Sequence, residues 1–188
     1  MIGSLTIALP AWTADLIDPG HAFRTVEERM RLAIALAREN VLRGSGGPFG
    51  AAVFELETGR VVGVGVNLVM GHHNSVLHAE ILALMTAEQA VGSYSLRADG
   101  LPAHELVASC SPCAMCLGAA LWGGVRRITT GATREEAMAF GFDEGPVFPE
   151  SYRYLERRGI AFRGDVLRAE AKAVLELYRN QGGMVYNG

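Results

Sequence analysis

The chain has 188 residues, 49% of them hydrophobic and 7% aromatic, and a formal net charge of −3, which suits a single domain over residues 1–188 able to bury its own core. One lysine, Lys172, stands among scattered arginines, so there is no concentrated cationic face for a nucleic-acid backbone, and the opening MIGSLTIALPAW lacks the basic start and long apolar run of a leader or membrane anchor. The three cysteines fall within seven residues, at 110, 113 and 116, and cannot staple distant segments, so a reducing, cytoplasmic setting is expected.

Taken along the chain, Thr25 stands three residues before Glu28 at the head of TVEERMRLAIALARENVLRG, a capping box that opens an apolar run of helical period closed by Gly44. After GSGGPFG, the runs AAVFEL and RVVGVGVNLV flank ETG and predict a β-hairpin, followed by a helix from about Leu77 to Ala90. Then come strand ELVASC, helix CAMCLGAALWGG, strand VRRITTG, short helices near REEAMAFG and SYRYLERRG, strand IAFRG, and an amphipathic helix DVLRAEAKAVLELYRN ending at Gly182 and Gly183. A hairpin followed by alternating helices and strands implies an α/β fold, a mixed sheet covered by helices on both faces. Residues 1–22 form an N-terminal extension and 183–188 a tail.

Cys113 and Cys116 are three apart at a predicted helix start, where both sulfurs face one way and the free amides favour thiolate. Pro112 suits the sharp passage from strand to helix. A redox pair would show the same spacing. The stretch HAE, with His78 and Glu80 at another predicted helix start, adds what a redox pair does not need. One histidine and two cysteines supply three zinc ligands and leave the fourth tetrahedral position for water, and a nearby carboxylate can take that water's proton. A structural Cys3His site that includes Cys110 is the sharper rival, against the ordinary fate of Cys110 as a small buried hydrophobe. His72 and His73 in GHHNS read as solvated loop residues.

HAE followed by PCAMC resembles the signature of the zinc-dependent cytidine deaminase superfamily, over a span from about Thr25 to the C-terminus. The resemblance implies a three-layer α/β/α fold on a central five-stranded mixed sheet, a Zn2+ cofactor held by His78, Cys113 and Cys116, and Glu80 as general acid and base. It implies hydrolytic replacement of a ring amine by a carbonyl, with amides near Cys113 stabilising the developing charge.

Substrate identity rests on three further stretches. GGPFGA and Asn67 resemble the superfamily's glycine-rich bend and ring-contacting asparagine. GATREEAMAFGFDEGP looks like guanine deaminases, which implies guanine as substrate, xanthine and ammonia as products, and Glu144 or Asp143, with Glu144 favoured, as a second proton-carrying carboxylate. Phe49, Trp122 and Phe142 are candidates to stack on or wall the flat ring, the resemblance placing an aromatic at Trp122, and Ala79 is a further candidate for substrate binding. The resemblance also implies a homodimer with exchanged C-terminal segments, in which Tyr186 caps the partner's site. A pocket that reads the N–C(NH2)–N edge should admit related rings such as amino-hydroxy-triazines. The alternatives are a cytosine or tRNA adenosine deaminase, a non-enzymatic structural zinc domain and, behind these, a thiol-redox protein. Two departures from the pattern stand out: Ser111 replaces the glutamate many relatives carry before the proline, and the first twenty or so residues have no counterpart.

Overall fold

The computed structural model describes residues 3, 5–18 and 20–187, so residues 1, 2, 4 and 19 of the extension and 188 of the tail lie outside the described residues. Thr25 caps the first helix, α1 (Val26–Leu42): its hydroxyl accepts from the Glu28 amide at 3.1 Å and the Glu28 carboxylate accepts from the Thr25 amide at 2.8 Å. The hairpin follows as β1 (Gly50–Glu55) and β2 (Val61–Val66), then a short α2 (Val69–His72) and α3 (Ala79–Val91). The remainder is β3 (His104–Cys110), α4 (Ala114–Gly123), β4 (Arg127–Ala132), α5 (Arg134–Ala139), α6 (Pro149–Arg157), β5 (Ala161–Arg163) and α7 (Arg168–Asn180).

The five strands form one mixed sheet in the order β2-β1-β3-β4-β5. The β1 strand pairs antiparallel with both β2 and β3, while β3, β4 and β5 run parallel. Helices α1 and α7 cover one face around Met30, Leu36, Phe54, Val107 and Val174. The other face carries α3, α4 and α6 around Val53, Ala83, Leu106, Ile128 and Leu155. This is the expected three-layer α/β/α arrangement.

Two strand glycines set the depth of the second layer. A Cβ at Gly65 would collide with the Ala79 carbonyl and the Ala83 amide of α3, and one at Gly63 would stand 2.5 Å from the Ala87 amide and 2.6 Å from the Ala83 carbonyl. On the opposite face, a Cβ at Gly50 would stand 2.5 Å from both the Ala33 carbonyl and the Ala37 amide of α1. Absent side chains therefore let both helices rest against the hairpin backbone.

A charged cluster ties α1 to the sheet. Glu105 on β3 is wholly buried and accepts from Arg29 of α1 at 2.6 Å, Arg127 at 2.6 and 3.2 Å, and Thr129 at 2.6 Å. Burial alone would raise the Glu105 pKa, and these donors outweigh it and hold it below the ordinary carboxylate value. Arg29 also donates to the carbonyls of Phe23 and Leu56.

Several boundaries differ from expectation for local reasons. Asp165 and Leu167 adopt left-handed φ values of 61° and 50°, so α7 begins at Arg168 rather than near Asp165. Pro149 starts α6, where its missing N–H costs nothing. Within the extension, Ala11–Leu16 form a 3-10 helix against α1, with Trp12 donating to the Ser45 hydroxyl at 3.2 Å. Among the described residues no helix is long and apolar enough to cross a membrane.

Replacing Glu105 by alanine leaves the Arg29 guanidinium buried without its carboxylate. The expected loss is about 3–5 kcal/mol of folding stability, read from the urea midpoint.

Candidate active site

Two helices begin at the same point. His78 is the N-cap of α3 and Cys113 the N-cap of α4, with Cys116 one turn further along. The His78 Nδ1 lies 3.6 Å from the Cys113 and Cys116 sulfurs, which are themselves 3.6 Å apart. Zn–S bonds of about 2.3 Å and a Zn–N bond of about 2.0–2.1 Å at tetrahedral angles require edges of roughly 3.5–3.8 Å. The three ligand atoms thus mark one face of a tetrahedron of zinc's size. Among the described residues this is the group able to hold a metal. Cys110 stands apart from it, its thiol directed at the Thr133 carbonyl at 3.6 Å, which removes the support for a Cys3His site. His72 and His73 are exposed.

The electrostatics divide the acidic groups by role. The Cys116 thiol and then His78 hydrogen-bond the Cys113 sulfur and bring its pKa down to about 4, so it is already a thiolate near neutral pH. Burial opposes protonation of His78, but the bond to Cys113 and the nearby Glu80 outweigh it and raise its pKa. Glu80 is pushed upward by burial and then by the Cys113 charge. Burial, followed by the charge of Glu80, lifts Glu144 to about 8, so this carboxyl holds its proton at neutral pH.

A cavity of about 340 Å³ opens beside these groups, lined by Phe49, His78, Glu80, Cys113, Phe142 and Glu144 among others, within the range of small-molecule sites. Phe49 and Phe142 meet edge to face at 5.0 Å, and Phe142 meets Tyr186 at 5.4 Å. Two neighbouring acids of the lining differ. Asp143 is exposed and its carboxylate accepts from the Gly145 amide at 2.9 Å, whereas Glu144 is buried. Asn67 and Ala79 are buried and lie outside this lining.

Two findings depart from the sequence reading. Trp122 is away from its own chain's cavity and 77% exposed. It lies nine residues beyond Cys113, so at about 1.5 Å per residue it falls near the opposite end of α4. The Ala114 amide, at the helix start assigned to the developing charge, instead donates to the Glu144 carbonyl at 3.0 Å. In the one chain described, Tyr186 lines its own chain's cavity. Sequence reasoning also passed over Ser75, Met115 and Asn187, which join the lining. Asn187 accepts from the Asp143 amide at 2.8 Å and donates to the Gly141 carbonyl at 3.0 Å, clasping the tail to the loop that bears Glu144. Nothing in a C-terminal VYNG signals this.

The profile of the cytidine and deoxycytidylate deaminase zinc-binding region matches residues 24–132, and the chain belongs to this family. It is 33% identical over 154 residues to the guanine deaminase of Bacillus subtilis (strain 168), covering 82% of this chain and 94% of that protein. A solved guanine deaminase from Nitrosomonas europaea superposes with a TM-score of 0.90 at 40% identity, covering 96% of this chain and 98% of that one. The protein NE0047 in complex with 2,6-diaminopurine superposes with a TM-score of 0.91 at 41% identity, covering 98% and 97%.

If the three ligand atoms act together, Cys116→Ala loses bound zinc while Cys110→Ala keeps about one ion per chain, as measured by elemental analysis of the purified proteins.

Proposed function

We propose that the chain is a single-domain zinc aminohydrolase that converts guanine and water to xanthine and ammonia. The observation that carries this reading is the convergence on one cavity of the His78, Cys113 and Cys116 triangle with two buried glutamates, Glu80 and Glu144. Its likeness along nearly the whole chain to guanine deaminases supports the choice of ring over cytosine or a tRNA adenosine. 2,6-Diaminopurine carries the same N–C(NH2)–N edge at C2, and related rings with that edge, amino-hydroxy-triazines included, are expected substrates.

Bound at His78, Cys113 and Cys116, zinc supplies a water acidic enough to attack at neutral pH. Glu80 takes the proton from that water and delivers it to the ring nitrogen beside the attacked carbon. Glu144, already protonated, donates to the departing amine while Glu80, again a carboxylate, takes the remaining C2 hydroxyl proton, so that ammonia leaves as the C2 carbonyl forms; that proton then returns to Glu144. Glu144 also reads the amidine edge, while Phe49 and Phe142 hold the ring plane and Asn67, behind the lining at the β2 end, supports Phe49 through its main-chain amide. Tyr186 covers the cavity against water. The three cysteines are free thiols, which suits a cytoplasmic enzyme.

The assembly we favour is a homodimer built on α4. This helix, AMCLGAALWG, has no charged side chain, and a helix apolar all round is made to be buried. Yet Trp122 is 77% exposed and stands beside Met85 at 42% and Tyr94 at 91%. A second copy on this face would lie next to the site, because Met115, which lines the cavity, shares a helix face with Ala119 and Trp122. The tail turns at Gly182, whose φ is +73°, so the cap could be exchanged across such a dimer.

Three outcomes follow. Purified zinc-loaded protein should release ammonia from guanine ahead of cytosine, adenine and a tRNA anticodon stem-loop, and a chelated sample should not. Glu80→Gln should keep its zinc and lose turnover on the order of 10²–10⁴-fold in a steady-state assay. Trp122→Glu should shift the protein from dimer to monomer in sedimentation velocity.

A further inference from the structure

Beneath the cavity wall, α1 ends in an enclosed polar side chain that the chemistry above leaves unused. Asn40 is fully buried. Its Nδ2 donates to the carbonyls of Gly47 and Asn67, both at 2.8 Å. One carbonyl belongs to the glycine bend that leads into Phe49, a residue of the cavity lining, and the other to the end of β2. The Gly47 carbonyl also accepts from the Phe49 amide at 2.9 Å, and the Asn67 amide donates to the Phe49 carbonyl at 3.0 Å. One carboxamide thus closes a ring of bonds around Phe49 and Asn67.

The fit around it is tight. A Cβ at Gly46 would collide with the Asn67 carbonyl and stand 2.9 Å from the Asn40 Nδ2, and one at Gly47 would strike the Tyr186 hydroxyl. The place of the glycine bend therefore sets both the seat of Phe49 and the room left for Tyr186. A packing role alone would be filled by an apolar residue like the neighbouring Leu36, Ala37 and Val41. Burying a carboxamide is unfavourable unless its groups are paired, and the Asn40 Oδ1 has no partner among the described residues. What the position uses is the two N–H donors.

We propose that Asn40 is a positioning residue for ring recognition: it locks the glycine bend to the end of β2 and so fixes Phe49 and Asn67, without itself touching substrate. The proposal rests on the reading of the cavity as a guanine site. Losing the lock loosens the contacts that bind the ring in ground state and transition state alike, and leaves zinc and Glu80 in place.

The test is steady-state kinetics with guanine on the zinc-loaded wild type, Asn40→Ala, Asn40→Ser and, as a control on the remote α7, Val174→Ala. For Asn40→Ala, KM should rise about tenfold or more, with kcat within about threefold and zinc content unchanged. Asn40→Ser, whose hydroxyl can replace one donor, should fall between it and the wild type, and Val174→Ala should lose stability with both constants unmoved. Should Asn40→Ala fail to fold, Asn40→Ser decides by a KM raised more than twofold. An active wild type with KM within twofold in the Asn40 variants, or a loss confined to kcat, overturns the proposal alone. A wild type inert toward guanine overturns the functional reading and this proposal with it.

Discussion

The site depends on how closely α3 can approach the sheet. Gly63 and Gly65 present bare backbone to Ala79, Ala83 and Ala87, and the closest approach, at Gly65, is one residue from the His78 ligand. A methyl group there would lift the helix start and carry the imidazole away from Cys113 and Cys116, which are fixed separately by the passage from β3 into α4. Interatomic separations of 3.6 Å leave little room for such a shift. The ligand triangle is thus an outcome of packing across the sheet.

Of the four glutamates buried among the described residues, Glu105 is treated in the opposite way to Glu80 and Glu144. Glu105 meets two arginines and a threonine, and its charge is stabilised where it serves to bind α1 to the sheet. Glu80 and Glu144 receive no such set of donors and lie close enough for each charge to disfavour the other. Burial raises both, and the difficulty of holding two negative charges in one cavity suits them to the proton transfers proposed above. The stabilised pair is structural and the frustrated pair is chemical.

Much of this was legible in the chain. The Thr25 box, the alternating elements and the order HAE then PCAMC encode local geometry in residue type and spacing, and they led to the sheet, the layers and the ligand set. Other features depend on what arrives from elsewhere. Gly63 and Gly65 read as ordinary hairpin residues until α3 lies across them. Asn40 sits inside an apolar helical pattern, and only the returning β2 end gives its amide a purpose. Trp122 was assigned to the ring by analogy, although its distance along α4 separates it from its own chain's cavity. The start of α7 was misplaced because Leu167 adopts a left-handed backbone that its side chain does not announce.

The bond from the Ala114 amide to the Glu144 carbonyl links the loop to the helix that carries Cys113 through main-chain atoms alone. Such a tether is indifferent to the side chain at position 144. Under the proposed function, substitution there would change which ring is read and which proton is moved while the loop keeps its anchorage and the His78, Cys113 and Cys116 triangle keeps its own. The architecture separates an inherited reaction centre from a replaceable reading head, so selection can redirect its substrate range one codon at a time.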